Sequence, residues 1–193
     1  MHKLRVITII GSRKTPKDIL ESMRVIAEWC TNKGVIVRSG KAGGADAAAI
    51  YGCMDAYTKQ TAVAVPEMYV PWSNFGSMDM TNAFDVDMGS NPAAKEIAKS
   101  VHPAWQRCSQ GAQKLHTRNV GQILGKDLAT PSDIVLYWCE EKHGKPTGGT
   151  ATAVNLAGQH GCICINMLHD SWQQLLKPHL AAVQEAYKLT NKV

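Results

Sequence analysis

A chain of 193 residues, 45% hydrophobic and 19% charged, has the length of one well-packed α/β domain and a composition that excludes a disordered chain. The formal charge of +5 favours anions such as nucleotides or nucleic acid without choosing among them. No apolar run approaches the ~20 residues of a membrane span, and the cysteines Cys30, Cys53, Cys108, Cys139, Cys162 and Cys164 contain no Cys-x-x-Cys pair, so no membrane partner and no zinc or redox site are expected.

Leu4 to Ile10 is an almost continuous β-branched run, the pattern of a central parallel strand buried on both faces. Met1-His2-Lys3 leads straight into it, which is too short for a signal peptide and points to a cytoplasmic protein with reduced thiols. Pro16 suits a helix N1 position, and Ile19, Leu20, Met23, Ile26 and Ala27 carry helical spacing to Asn32, with Gly34 as the stop. Val35-Ile36-Val37 is the second strand, and alanine-rich Ala45 to Tyr57 the next helix. Thr61 to Val65 reads as a third short strand stopped by Pro66. From Glu67 to about Asn91 the periodicity disappears, which marks an irregular insertion around 67–91.

Pro92 to Val101 and Thr117 to Leu128 read as helices, and Ile134 to Trp138 as the fourth strand. A helix follows to about Gln159, Gly161 ends it, and Cys162 to Ile165 is the fifth strand. A last amphipathic helix covers roughly Ser171 to Leu189, kinked or broken at Pro178. The alternation predicts a single Rossmann-like domain over residues 1–193. Its core is a doubly wound parallel sheet of about five strands with helices on both faces.

Three strand-to-helix loops carry the chemistry. Gly11-Ser12-Arg13 closes the first strand, Arg38-Ser39-Gly40-Lys41-Ala42-Gly43-Gly44-Ala45-Asp46 the second, and Pro146-Thr147-Gly148-Gly149-Thr150 follows the fourth. Small residues and backbone N–H groups at such turns bind phosphate in an open parallel sheet. Ser12 and Ser39 add hydroxyls, Arg13 a charge, and Gly11, Gly40, Gly43 and Gly44 close backbone approach. Asp46, near a helix start, can bind ribose hydroxyls or cap the helix. Arg118 offers bidentate recognition of phosphate, and Asn119 a carboxamide for a base or ribose edge, both at the start of a helical run. Glu140 and Glu141 follow the fourth strand, where a carboxylate can serve as general base toward an N-glycosidic bond or belong to a solvated loop. Trp72 in the insertion is the better candidate for stacking on a base, whereas Trp138 suits packing. The seven histidines show no metal-ligand spacing, and Asp79, Asp85 and Asp87 lack an EF-hand pattern. No metal and no cofactor are expected.

Gly11-Ser12-Arg13, Ser39-Gly40 with Gly43-Gly44-Ala45-Asp46, Thr117-Arg118-Asn119, and Thr147-Gly148-Gly149-Thr150-Ala151-Thr152-Ala153 resemble the ordered motifs of the SLOG superfamily. That superfamily joins DNA-processing protein A, the Lonely Guy phosphoribohydrolases and small bacterial and phage YspA-like proteins. His102-Pro103-Ala104-Trp105 followed by Arg118-Asn119 looks closest to the YspA-like branch. The resemblance runs from about residue 4 to 166. It implies a Rossmann-like fold and a nucleotide or nucleotide-derived ligand held across the motif loops by a sensor or sequestering protein. A phage-encoded member would work in the host cytoplasm. The protein A branch implies weak single-stranded DNA binding as an alternative, and a homo-oligomer stays open. In the Lonely Guy hydrolases a Gly-Gly-x-Gly-Thr-x-x-Glu motif supplies a catalytic carboxylate; aligning on Gly149-Thr150 puts Ala153 at that glutamate. A nucleotide N-glycosidase therefore remains only as an alternative, resting on Glu140 and Glu141.

Overall fold

In the computed structural model, which describes residues 4–190, strands and helices largely alternate, except where β3 runs to β4, α3 to α4 and β5 to a short hairpin. Met1-His2-Lys3 lie outside the described residues. The first half runs through β1 (Val6–Gly11), α1 (Lys17–Asn32), β2 (Ile36–Ser39), α2 (Ala45–Thr58), β3 (Glu67–Val70), β4 (Asp85–Asp87) and α3 (Pro92–Val101). A 3-10 turn (Trp105–Arg107) leads into α4 (Gln110–Leu124) and β5 (Ile134–Trp138). The hairpin strands β6 (Glu141–Lys142) and β7 (Lys145–Pro146) precede α5 (Gly148–Gln159), β8 (Ile163–Asn166) and α6 (Trp172–Thr190).

Six strands form one sheet in the order β4-β3-β2-β1-β5-β8, and every neighbouring pair is parallel. The chain moves outward from β1 to β4, then returns to the other side of β1 for β5 and β8. Strand order therefore reverses between β1 and β5, and an open α/β sheet has its ligand crevice at the C-terminal ends of the strands flanking such a reversal.

Both faces of the sheet are covered, which explains why β1 is apolar apart from the buried Thr8. Ile7 and Ile9 pack with Met23 and Ala27 of α1, Ala49 and Ile50 of α2, and Leu176 of α6. Ile10 turns to the opposite layer, with Ala94 of α3, Ile123 of α4 and Leu156 of α5. At ~25 cal/mol per Å² of buried apolar surface, these two layers supply the main stabilisation of the domain.

The boundaries depart from the sequence expectation where apolar periodicity is absent or proline misleads. Thr61–Val65 is not a strand: Val63 and Val65 are 62% and 65% exposed, and β3 instead begins immediately after Pro66. Proline cannot donate to a ladder but can precede a strand, so Pro66 opens this one rather than closing its predecessor. The insertion contributes β4, the sixth strand, on the sheet edge. Helix α4 starts seven residues before Thr117, capped by Ser109, whose Oγ accepts from Ala112 N–H at 3.3 Å. Its first turns are too exposed to show a periodic stripe. Consequently Arg118 and Asn119 lie in mid-helix and not at a helix start. The last strand begins one residue later than expected, at Ile163, and α6 continues through Pro178 without ending there.

Candidate functional site

The C-terminal ends of β2, β1 and β5 lie side by side, so the three loops converge. They enclose, with α4 as the far wall, a cavity of about 460 Å³. Gly11 makes the convergence possible. A Cβ there would meet Trp138 O at 2.7 Å and Ala45 Cβ at 2.9 Å, so only glycine lets β1 touch β5 and the start of α2 together.

Two helices open onto this cavity, and among the described residues neither has a side-chain cap. Gly44 is the N-cap of α2 and Thr147 that of α5. The Thr147 hydroxyl is turned away, donating to Glu140 O at 2.7 Å. Uncapped first turns keep N–H groups without intrahelical partners, and each helix dipole adds about half a positive charge at its N-terminus. Gly43, Gly148, Gly149 and Thr150 line the cavity at these two ends, joined by Arg13 and Lys14 from the first loop.

Ser12 takes a different part from the one its sequence position suggests. Its N–H donates to Trp138 O at 3.0 Å and its hydroxyl accepts from Lys14 N–H at 3.1 Å. The amide is consumed in holding β1 to β5, although Ser12 still borders the cavity. Ser39 is fully buried and its hydroxyl donates to Ile9 O, so it fastens β2 to β1 beneath the site. Gly40 also lies beneath, and the Arg118 guanidinium occupies the space a Cβ would need.

Arg118 and Asp46 form a buried ion pair, Nη2 to Oδ2 at 2.9 Å, with side chains 6% and 5% exposed. Burial pushes the Asp46 carboxyl above its ordinary range, while the Arg118 guanidinium, the Ala42 N–H and the Arg13 charge draw it down. Asp46 therefore neither caps α2 nor stands free for a ribose; it anchors an arginine. Arg118 borders the cavity, and its buried Nε has no partner among the described residues, which leaves a donor for an incoming anion.

Sequence reasoning missed most of the wall built by α4. Ala112, Leu115, His116, Asn119 and Gln122 all line the cavity, at the spacing of a single helix face. A start at Ser109 would have exposed that stripe. Burial, with His102 and Arg118 nearby, holds the His116 imidazole down to about 4. The fold also brings His102, Cys108 and His116 together, their donor atoms within 4.8 Å of one another, although their sequence spacing matches no metal motif.

The two glutamates stand apart from the cavity lining. Glu140 is 63% exposed on the side chain and 3.9 Å from Lys14 Nζ. Glu141 accepts from Asn166 Nδ2 at 2.8 Å and lies 3.1 Å from His169 Nε2, contacts that hold its carboxyl below the usual range. Ala153, in contrast, does line the cavity, so a methyl group occupies the position where the resemblance marks a catalytic carboxylate.

A shallow open pocket of about 380 Å³ shares Arg13, Ala42 and Gly43 with the first and is lined by Trp72 and Phe75. Trp72 is 41% exposed and meets Phe75 edge-on at 5.1 Å. The insertion that carries them is fastened to the second loop through Lys41, whose buried Nζ donates to Asn82 Oδ1 at 2.5 Å and to Asp85 Oδ2 at 3.0 Å.

Topology and site together define a Rossmann-like α/β protein whose strand-to-helix loops meet at the point where strand order reverses. Residues 1–71, spanning β1 to β3 and the first two loops, match the family model described as DNA recombination-mediator protein A. Over that segment, though not over the rest of its length, the chain is similar to that family. Among solved structures it is similar to the X-ray structure of DNA processing protein A (DprA) from Streptococcus pneumoniae, with 16% identity and a TM-score of 0.43. The similarity covers 91% of this chain and 56% of that one, so the chain spans little more than half that protein's length. A search of the curated proteins found no match. No helix among the described residues is long and apolar enough to cross a membrane.

Proposed function

We propose that the chain binds a nucleotide or nucleotide-derived ligand at the C-terminal edge of β2, β1 and β5 and acts as a sensor or sequestering protein without turning the ligand over. The observation that carries this reading is the pair of uncapped helix N-termini, α2 and α5, opening on one cavity beside Arg13, Lys14 and the free Nε of Arg118. Backbone donors and helix dipoles bordering one cavity suit a phosphate, which is tetrahedral, anionic and rich in acceptors. Asn119 and Gln122, on the α4 wall, supply carboxamides for a base or sugar.

Binding without turnover follows from the carboxylates. Among the described residues Asp46 is the one carboxylate in the cavity wall, and its charge is engaged by Arg118. Glu140 and Glu141 do not line the cavity and would have to move to reach an N-glycosidic bond. The finer placement in the YspA-like branch, with a bacterial or phage source, rests on His102-Pro103-Ala104-Trp105 and Arg118-Asn119.

A second reading, single-stranded DNA binding, has one observation of its own: the Trp72 and Phe75 cavity adjoins the first through Arg13 and Gly43, so a second base has an aromatic surface within reach. Native mass spectrometry of the purified protein, before and after denaturation, followed by calorimetry with nucleotides and a short oligonucleotide, tests both. A co-purified or added mononucleotide bound tightly supports the first reading. Affinity confined to the oligonucleotide supports the second.

A further inference from the structure

Beside the main cavity, the segment between α3 and α4 folds into a compact corner. His102 is the C-cap of α3, and the 3-10 turn from Trp105 to Arg107 reverses the chain. Cys108 ends that turn, and Ser109 caps α4 so that His116 comes two turns into the helix. Trp105, buried to 6% exposure, meets the His102 ring edge-on at 6.2 Å and anchors the corner. Sequence separations of six and eight residues thereby collapse into one cluster.

We propose that His102, Cys108 and His116 form a binding site for a divalent ion of the zinc class. Cys108 Sγ lies 3.8 Å from His102 Nε2 and 3.9 Å from its Nδ1. The His102 and His116 ring centroids are 4.2 Å apart. Zn–N bonds of about 2.0 Å and Zn–S bonds of about 2.3 Å in a tetrahedron place sulfur and nitrogen roughly 3.5 Å apart, so ligation needs a contraction of only a few tenths of an ångström there.

His116 Nδ1 is buried and has no hydrogen-bond partner among the described residues, and a buried nitrogen left unpaired is costly unless something else takes it up. The contacts now made by the other two donors are local: Ala104 N–H donates to His102 Nδ1 at 3.1 Å, and Cys108 Sγ donates to Ala104 O at 3.7 Å. Ligation through His102 Nδ1 uses the lone pair that Ala104 N–H now occupies, and ligation by Cys108 releases the thiol proton to solvent. One thiolate and two imidazoles suit zinc over magnesium or calcium, which prefer oxygen. Three protein ligands leave the fourth position to water. Because His116 also lines the main cavity, a bound ion would tie the corner to the same face of α4 that carries Asn119.

The test is a titration of the purified, chelator-treated chain with Co²⁺, followed by displacement with Zn²⁺. The expected result is saturation at one equivalent, with the near-ultraviolet thiolate-to-cobalt charge-transfer band and the visible bands of a tetrahedral ion, all removed by Zn²⁺. Cys108→Ser should abolish the charge-transfer band. His116→Gln should weaken Zn²⁺ binding by more than ~10-fold, since even the loss of a group supporting a ligand costs that much. Cys164→Ser should leave every signal in place. Absence of the band in the unaltered protein overturns the proposal with no variant needed, and so does a band that survives Cys108→Ser. Circular dichroism checks that each variant is folded.

Discussion

Replacing Gly43 by valine separates ligand contact from folding more cleanly than any other change in the site. An added Cβ at Gly43 meets nothing within 4 Å, and its φ lies outside the left-handed region. The fold should therefore tolerate the substitution within about ±0.5 kcal/mol, as at an unconstrained surface position. The same residue borders both cavities, so the valine methyls stand where a phosphate would approach the start of α2. Losing one charge-assisted hydrogen bond costs about 1.5–3 kcal/mol, and each 1.4 kcal/mol is about tenfold in affinity, so binding should weaken by ~10- to 100-fold.

The neighbouring glycine supplies the contrast. Gly44 has φ +83°, and its added Cβ would meet Ser12 O at 2.8 Å and Arg13 Cα at 2.9 Å. Gly44→Val should lose stability by about 1–3 kcal/mol from backbone strain alone, before any contact is counted. Calorimetry with a panel of nucleoside monophosphates and diphosphates, paired with urea unfolding, reads both quantities. A Gly43→Val protein with the parent's stability and undiminished nucleotide affinity would refute the phosphate cradle.

Other expectations follow from the ion pair, the polyanion alternative and the missing carboxylate. Arg118→Ala should weaken all phosphorylated ligands alike and also cost about 3–5 kcal/mol of stability, because it leaves Asp46 buried and unpaired; the Asp46→Ala/Arg118→Ala double variant should regain part of the stability and none of the affinity, as urea unfolding and calorimetry will show. Asn119→Ala should change the preference among bases, and an equal loss across all bases would reduce Asn119 to a support for the wall. Affinity for single-stranded DNA should fall steeply with salt, whereas tight binding at physiological salt in a fluorescence titration would rank the DNA reading first. Nucleoside monophosphates incubated with the protein should release no free base by chromatography, since general acid–base help is worth ~10²–10⁴-fold and Ala153 supplies none; release abolished by Glu140→Gln or Glu141→Gln would reverse that conclusion.

The loops were legible in the sequence because glycine clusters directly follow strand-like apolar runs, and the fold places all three at one edge. What each residue does there was less legible. Ser12, Ser39 and Gly40 have the composition of a phosphate loop, yet they spend their polar groups or their missing side chain on strand pairing and on room for Arg118. Such tertiary uses leave no local signature. The start of α4 was hidden for a different reason: Gln110-Gly111-Ala112-Gln113-Lys114 is largely solvent-facing and carries no apolar stripe, and the face the helix turns inward is a mixed polar one that lines a cavity in place of a core. The displaced third strand came from reading Pro66 as a terminator when its missing N–H is equally compatible with a strand's edge.

The Arg118–Asp46 pair gives the site its character. Burying two charges recovers their lost hydration only with good geometry, and here the geometry is enforced from three sides: Asp46 stands in the first turn of α2, Arg118 in the middle of α4, and Gly40 vacates the space between. The pair therefore locks the wall of the cavity to the helix whose uncapped N-terminus opens onto it, so the relative position of those two surfaces is set before any ligand arrives. A pre-set cavity loses little entropy on binding, which favours a ligand held for affinity. Catalysis would ask for the opposite arrangement, a carboxylate left unpaired and within reach of the reacting bond. This chain has committed its one cavity carboxylate among the described residues to structure and carries alanine at the other position, which supports the proposal that it holds a nucleotide without cleaving it.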